Sequence, residues 1–417
     1  MGDAPSRPAP RVPWAALGTG FAVLFVCTGT NFSFGILFKP ILMELGSDRS
    51  TLALAATASL CMNALGQPFV GALVDRIGPR RVILPSMALM ALGTGLVGLA
   101  QNPWQFVLLY GVVVAVGSTG AGILPISVHI TRWFPGERGF VMAVAASGFS
   151  LGHLVFTQIA ARVAVAAGWR RTYRLMAAIL LVALPVIAVW LRDAPRVGPR
   201  GTAGDPTRDA LGSVSRRAAL GTPAFWWMTI GLMGCGFTDF LLTTHLPAFA
   251  ADLGLAPTVA ANAVSLWAAA NIAGILAAGT IAARVGSRQA LVATYGLRAV
   301  SLFYLSSVRD AWQLYLFAIL FGATFFTTAP LSSTLVGSLF GPAHHGLIFG
   351  AANFFHHVAG ALGAYAGGVV FDLTGSYLPI FLASGIMVTA SAAVTWLARS
   401  RRRPPGGPDF WRPETGR

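Results

Sequence analysis

Charged side chains are scarce in this sequence. Asp, Glu, Lys and Arg make up only 10% of its 417 residues, whereas soluble globular domains carry about 25%. Hydrophobic residues make up 55% of the chain and its mean hydropathy is +0.69. This balance excludes an ordinary soluble globule and predicts a chain whose solvent is mostly lipid.

Cysteine and lysine are nearly absent as well. Cys27, Cys61 and Cys235 lie in apolar runs without Cys-x-x-Cys spacing, so we expect no disulfide, no metal site and no cofactor. Lys39 is the single lysine, and the other 28 of the 29 basic residues are arginine. These arginines stand at the ends of apolar segments rather than in a stripe with interleaved aromatics, so the formal charge of +15 does not predict nucleic-acid binding.

Motifs of membrane enzymes are also missing. The sequence has no His-Glu-x-x-His, no Gly-x-Ser-x-Gly and no paired carboxylates within an apolar segment. We therefore predict that the protein is not an enzyme.

Twelve apolar segments are long enough to cross roughly 30 Å of hydrocarbon. We number them spans 1 to 12, at about 14–38, 51–75, 81–100, 104–131, 138–164, 171–191, 224–250, 257–283, 288–308, 312–338, 345–370 and 376–398. The predicted domains are a cytoplasmic tail at 1–13, a six-helix bundle at 14–191, a polar linker at 192–221, a second six-helix bundle at 222–398 and a basic tail at 399–417. The fold class is all-α integral membrane.

The distribution of basic residues predicts the orientation. The side that holds both termini collects 21 of the 29 basic residues, the other side has seven, and Arg298 lies inside a span. The positive-inside rule then places both termini in the cytoplasm, in a multi-pass protein of the cytoplasmic (inner) membrane.

The two bundles repeat each other, most clearly in the connector between spans 2 and 3. Its skeleton returns between spans 8 and 9, at 279–289, which is 208 residues later (279 minus 71). Its six defining residues are Gly71, Asp75, Arg76, Gly78, Arg80 and Arg81. They predict either a gating latch, in which Asp75 pairs with arginines or caps another helix, or a topology signal alone.

The chain resembles the major facilitator superfamily in this connector, in its less complete second copy at 279–289, in the twelve spans and in the central linker. The resemblance implies two pseudo-symmetric six-helix bundles, a substrate site near mid-membrane and alternating access by rocking of one half against the other. We expect the protein to function as a monomer in the lipid bilayer, with a small anion and protons as its partners.

Several further stretches resemble bacterial monocarboxylate-transporter-type members and oxalate/formate exchangers. They are 32–40 in span 1, 244–254 in span 7, 295–298 in span 9 and 371–377 after span 11. This resemblance implies a small organic anion as substrate, together with a co-transported proton. Animal-type members carry a lysine within span 1 and an Asp/Arg pair in span 8. The corresponding stretches here, 29–38 and 267–279, contain no charge, so the animal-type coupling chemistry cannot be carried over.

Two other functions remain open. A drug or metabolite efflux antiporter would carry spaced glycines in span 5 that end in Gly-Pro, and here Gly139, Gly148 and Gly152 have the spacing but His153 replaces the proline. A transporter-derived sensor is the other alternative.

Polar residues within the spans are the candidates for the site, because ionisable groups at bilayer depth are costly and usually functional. Asp239 and Arg298 are the two clear mid-span charges, and they could pair. Arg298 then either staples the second bundle or contacts substrate. Asn31, His245 and His357 are candidates for binding substrate. Asp239 and His245 are candidates for carrying the coupled proton. For His245 the alternative is a structural hydrogen bond at a helix end.

Overall fold

The computed structural model describes residues 13–134, 138–193, 220–340 and 345–398, and every regular element in these ranges is a helix. In the first half, span 1 is Pro13–Leu45, span 2 is Arg49–Ile77, span 3 is Pro79–Val97, span 4 combines Pro103–Leu108, Leu109–Val114, Ala115–Gly120 and Ile123–Trp133, and spans 5 and 6 are the two parts of Arg138–Trp190. In the second half, span 7 is Pro223–Asp252, span 8 is Pro257–Val285, span 9 is Ser287–Leu305, span 10 combines Ala311–Gly322 and Thr328–Phe340, span 11 is His345–Thr374 and span 12 is Leu378–Leu397.

Eight of the described helices are long and apolar enough to cross a membrane, and one of them, Val144–Trp190, contains two crossings. The other three crossings fall short in hydropathy or in helix length for identifiable reasons. Span 2 carries Asn63 and Gln67, span 9 carries Arg298, and span 10 is split into two short helices. The arrangement is therefore the all-α fold of twelve membrane-spanning segments that the sequence predicts.

Turns between spans depend on glycine at positions with positive φ. Gly78 joins spans 2 and 3 with φ of 94°, and Gly286 joins spans 8 and 9 with φ of 91°. Gly168, with φ of 81°, interrupts Arg138–Trp190 and separates spans 5 and 6. These angles are strained for residues with a Cβ, so the repeated glycine of the connector has a conformational cause in both halves.

Close helix packing in each half also depends on glycine. A Cβ on Gly152 of span 5 would lie 2.2 Å from the backbone oxygen of Phe25 in span 1, and a Cβ on Gly363 of span 11 would lie 2.2 Å from that of Phe237 in span 7. Small residues let helix backbones approach in lipid, where van der Waals packing holds helices together. The same contact in both halves reflects the internal repeat.

The two halves meet along spans 1 and 7, 2 and 11, and 5 and 8. We call the membrane side that holds the first residues of span 1 and the last residues of span 12 the terminal side, and the opposite side the far side. Most of the linker (194–219) and the tails lie outside the described residues, so the predicted domain ranges stay predictions.

Span 10 departs from the continuous helix predicted at 312–338. Its first helix ends at Gly322 and its second begins at Thr328, with turns at 323–327. Irregular backbone at membrane depth must find hydrogen-bond partners inside the protein, because lipid supplies none. The partners that it finds define the candidate site.

Candidate substrate and gating site

Arg298 of span 9 is fully buried and faces the break in span 10. Its Nη2 donates to the backbone oxygens of Thr324, at 2.5 Å, and Phe325, at 2.9 Å, and its Nε donates to Thr324 Oγ1 at 3.2 Å. Its Nη1 donates to Asp239 Oδ1 at 2.7 Å and to Cys235 Sγ at 2.9 Å. All five N–H groups of the guanidinium thus have acceptors inside the second half.

This arrangement explains why an arginine stands at mid-membrane. Two backbone oxygens freed by the helix break need donors, and a planar guanidinium supplies both from one nitrogen while a carboxylate neutralises its charge. A substrate carboxylate could bind Arg298 only after one of these bonds breaks. The predicted pairing of Asp239 with Arg298 is present in the structure, and the geometry around it favours the staple over substrate contact.

The second oxygen of Asp239 lies in a small polar cluster. Cys235 Sγ donates to Asp239 Oδ2 at 3.2 Å and lies 3.1 Å from Thr328 Oγ1. A ring nitrogen of His356 comes within 4.8 Å of the Cys235 and Asp239 ligand atoms, a spacing that could hold a metal ion. The Arg298 N–H groups point at the same sulfur and carboxylate and oppose a cation there, so we do not propose a metal site.

His245 of span 7 is fully buried and lies closer to the far side of the membrane than Asp239. Its Nδ1 lies 3.0 Å from the Tyr377 hydroxyl and its Nε2 lies 2.8 Å from the Ala364 backbone oxygen. The Ala364 oxygen can only accept, so Nε2 carries a proton, and Nδ1 accepts from Tyr377 when the ring is neutral. A second proton on this ring would reverse the bond to Tyr377.

Tyr377 belongs to a group of charged and polar side chains that joins the two halves on the far side, and it links this group to His245. We call this group the outer clasp: Lys39 and Arg49 from the first half, and Asp252, Asp372 and Tyr377 from the second. Arg49 Nη1 donates to the Tyr377 hydroxyl at 2.6 Å. His245 therefore lies one hydrogen bond from the contacts that close the far side.

A polar and aromatic seam joins spans 5 and 8 nearer the membrane centre. Asn271 donates to Ser150 Oγ at 3.1 Å, and Gln158 donates to Asn262 Oδ1 at 3.0 Å. Aromatic contacts continue the seam, among them Phe149 with Phe326 at 4.4 Å and Phe32 with Phe325 at 6.5 Å between ring centroids.

The structure does not gather the remaining predicted substrate residues around Arg298. Asn31 lies on span 1, where its backbone oxygen accepts from Tyr110 and its Oδ1 is buried without a hydrogen-bond partner in the described part of the chain. His357 is half-buried on span 11, with Nδ1 2.9 Å from the Asn353 backbone oxygen and its ring 5.9 Å from Phe240. Their roles in binding remain predictions.

The connector motif shows one contact that the sequence did not predict. Asp193, after span 6, accepts a hydrogen bond from the Arg80 backbone N–H at 3.0 Å and so caps the start of span 3. A Cβ on Gly78 would lie 2.7 Å from Asp193 Oδ2. Gly71 is half-buried and Arg76 and Arg81 are exposed, while the Asp75 side chain lies outside the described part of the structure.

Sequence reasoning did not identify Arg49, Asp372, Tyr377 or Cys235 as candidate site residues. Arg49 and Asp372 stand at the ends of spans, where charge is ordinary, and Tyr377 directly precedes span 12. Their partners in the opposite half lie 203 to 328 residues away in sequence, so only the fold reveals the pairing. Cys235 occurs four residues before Asp239, which is the helical spacing for a shared face, and that signal was available.

The comparisons with known proteins agree with this architecture. A model of the Major Facilitator Superfamily matches residues 20–260 and 228–415. The chain is 25% identical over 396 residues to the uncharacterized MFS-type transporter YcxA of Bacillus subtilis, with 93% of this chain and 95% of that protein covered. It is 24% identical to monocarboxylate transporter 13 of Rattus norvegicus (91% and 87% covered) and 24% identical to the oxalate:formate antiporter of Oxalobacter formigenes (82% of each covered).

Solved structures show the same fold at low sequence identity. A bacterial homolog of the human lysosomal transporter Spinster, in an inward-facing and unoccupied conformation, superposes with a TM-score of 0.76 at 13% identity, over 94% of this chain and 97% of that one. The nucleoside transporter NupG superposes with a TM-score of 0.75 at 14% identity, over 92% and 99%. These matches confirm the twelve-span architecture.

Proposed function

Because this chain belongs to the Major Facilitator Superfamily, a family of membrane transporters, we propose that it moves a small monocarboxylate-like anion across the cytoplasmic membrane by alternating access. The observation that carries this proposal is sequence similarity to proteins that are named for small carboxylates. Proteins named for monocarboxylates and for oxalate and formate align with more than four fifths of this chain and of themselves. The orientation with both termini in the cytoplasm is part of the proposal.

The contacts of Arg298 bear on how an anion could be bound. Since every guanidinium N–H has an acceptor in the second half, this cation is not available as a fixed counter-charge. We propose His245, His357 and Asn31 as substrate contacts, with a histidine carrying positive charge only when it is protonated. A carboxylate stabilises a neighbouring imidazolium, so an anion and a proton would bind together.

Coupling to protons is proposed for Asp239 and His245. Both are titratable groups on span 7, the first span of the second half. This chain lacks the charged pair that animal-type members carry in span 8. Asp239 is held by Arg298 and Cys235, and His245 is held by Tyr377 of the outer clasp. A proton gained or lost at either group changes bonds that connect spans 7, 9 and 12.

The test is uptake by purified protein in liposomes. We expect labelled lactate, pyruvate, formate, oxalate or acetate to accumulate, and accumulation to rise when an inward proton gradient is imposed. Movement of a lipophilic cation with no carboxylate flux would contradict the proposal and favour efflux of drugs or metabolites. Binding of a carboxylate without any flux would favour a sensor.

Variants separate the proton hypothesis from the substrate hypothesis. Asp239→Asn and His245→Gln should each flatten the dependence of carboxylate uptake on the proton gradient. Asp310→Asn is a matched carboxylate control, because Asp310 caps Gln313 at the start of span 10 on the membrane surface. Uptake in both test variants that follows the gradient as steeply as the wild type would rule out these two proton carriers.

A further inference from the structure

The outer clasp holds one carboxylate between two cations. Asp252 Oδ1 lies 2.9 Å from Lys39 Nζ, and Asp252 Oδ2 lies 2.7 Å from Arg49 Nη2. Lys39 is at the far end of span 1 and Arg49 begins span 2, so both cations belong to the first half, while Asp252 ends span 7 of the second half. The structure therefore contains a two-cation carboxylate site whose occupant comes from the opposite half.

Arg49 is set in a built cradle rather than on an open surface. It is 7% exposed, its guanidinium lies 3.5 Å from the centre of the Phe371 ring, and its Nη1 donates to Tyr377. The backbone N–H groups of Arg49 and Ser50 donate to the two oxygens of Asp372, at 3.1 and 2.8 Å, so a residue of the second half caps span 2 of the first. Partial burial strengthens each of these charge interactions.

Charges across this seam are complementary. The second half contributes Asp252 and Asp372, and the first half contributes Lys39 and Arg49. Among the other acidic groups of the first half on this side, Glu44 is paired with Arg170, and Asp48 accepts hydrogen bonds from Thr51, which hold the pKa of Asp48 below its usual range, and from Ser50. Arg309 and Asp310 of the second half lie in the exposed turn before span 10 and are not members of the outer clasp.

Alternating access requires the halves to separate on the far side, and separation takes Asp252 and Asp372 away from Lys39 and Arg49. The two cations then stand at the mouth that leads toward the membrane centre. Positive charge at such a mouth raises the local concentration of anions. A small carboxylate has the same two oxygens as Asp252 and can take its place between the cations.

We propose that Lys39 and Arg49 form a carboxylate-capture site at the far-side mouth, which Asp252 plugs when that side is closed. This inference rests on the proposed transport of a small organic anion. It adds a coupling between binding and gating, because a free carboxylate competes with Asp252 for the same two cations and so favours the open far side. Resealing returns the cations to Asp252 and releases the anion inward.

The test uses an anion that can reach the mouth but is too bulky to cross. Protein is reconstituted in sealed vesicles with the far side facing the bath, and benzene-1,3,5-tricarboxylate in the bath is tested as an inhibitor of labelled carboxylate exchange. Lys39→Met removes one charge-assisted contact, so the inhibition constant should rise on the order of tenfold. Asp252→Asn weakens the plug, so the inhibition constant should fall.

A charge swap separates capture from simple latching. Lys39→Asp combined with Asp252→Lys restores an ion pair across the seam but removes positive charge from the first half. The contact of position 252 with Arg49 is lost in this double variant, so a latch alone predicts an inhibition constant at or below the wild-type value. A capture site predicts a constant that stays raised on the order of tenfold. Arg171→Met is the matched control, because Arg171 is an exposed far-side arginine of the first half whose contribution is screened by salt.

The outcomes are distinguishable. A swap variant with a wild-type inhibition constant, an unchanged constant in Lys39→Met, or no inhibition of the wild type would overturn the capture site. Lys39→Gln serves as a second variant should Lys39→Met not elute as a folded protein. A wild type that exchanges no carboxylate at all would instead contradict the proposed function.

Discussion

Removal of the Arg298 guanidinium is the most informative perturbation of the second half. Arg298→Met leaves the Asp239 carboxylate buried without its counter-charge and the Thr324 backbone oxygen without its guanidinium donor. The Phe325 backbone oxygen keeps only a long contact with Thr328 Oγ1, at 3.5 Å. Breaking a buried ion pair from one side costs about 3 to 5 kcal/mol. An unsatisfied buried acceptor costs about 1 to 3 kcal/mol more. We therefore expect Arg298→Met to be less stable than the wild type and less stable than a variant in which both Arg298 and Asp239 are replaced.

Replacement of both partners should recover part of this loss. In Arg298→Met with Asp239→Leu no charge remains buried, and apolar replacements of a buried pair are often neutral or stabilising. The two backbone oxygens of the span 10 break still lack their guanidinium donor, so the stability of the double variant should fall between that of Arg298→Met and that of the wild type. Arg298→Lys keeps the charge, but its ammonium group has three N–H donors for the five acceptors that the guanidinium satisfies.

The assay is the fraction of protein that stays monodisperse after heating in detergent, measured beside the half-saturation concentration for carboxylate uptake. The staple predicts the stability order wild type, double variant, Arg298→Met, with half-saturation near the wild-type value in the folded double variant. Wild-type stability of Arg298→Met would refute the role in bracing span 10. A rise of about tenfold or more in half-saturation for a stable double variant, without the same rise in Asp239→Asn, would show that Arg298 contacts substrate.

Three further predictions concern gating. Asp75→Asn should lower the initial rate of carboxylate uptake while the folded protein stays in the membrane, and an unchanged rate would reduce the connector to a topology signal. Gly35→Ala should slow uptake, because its Cβ would lie 2.1 Å from the Thr243 backbone oxygen in the opposite half. Gly18→Ala is the control and should leave the rate unchanged, because its Cβ would meet nothing within 4 Å. Equal uptake rates in the two variants would contradict a functional close approach at Gly35. Tyr377→Phe removes the hydroxyl between His245 and Arg49 and should slow turnover at unchanged expression, measured as uptake per folded protein.

The sequence predicted the parts of the fold that depend on local composition. The twelve spans follow from apolar length, and the glycine turn of the connector follows from its repeat at Gly78 and Gly286. It did not predict the break at 323–327, because an apolar segment has the same hydropathy whether its helix is continuous or interrupted. The break is stable here because Arg298, 26 residues before Thr324, supplies the donors.

The site was partly predictable for the same reason. A charge at mid-membrane must be paired, so Asp239 and Arg298 could be matched from their depths alone. The outer clasp could not, because Lys39, Arg49 and Asp252 stand at span ends where unpaired charge is tolerated. Only the packing of spans 1 and 2 against spans 7 and 11 brings them together.

Counterflow tests the central claim most directly. Liposomes that contain the protein are loaded with an unlabelled carboxylate and diluted into a trace of the same labelled carboxylate, with no ion gradient. An alternating-access carrier predicts a transient accumulation of label above its external concentration, followed by decay, because the outflowing anion returns the site to the outside for reloading. Label that enters only to equilibrium, or does not enter at all, would contradict carrier transport of that anion.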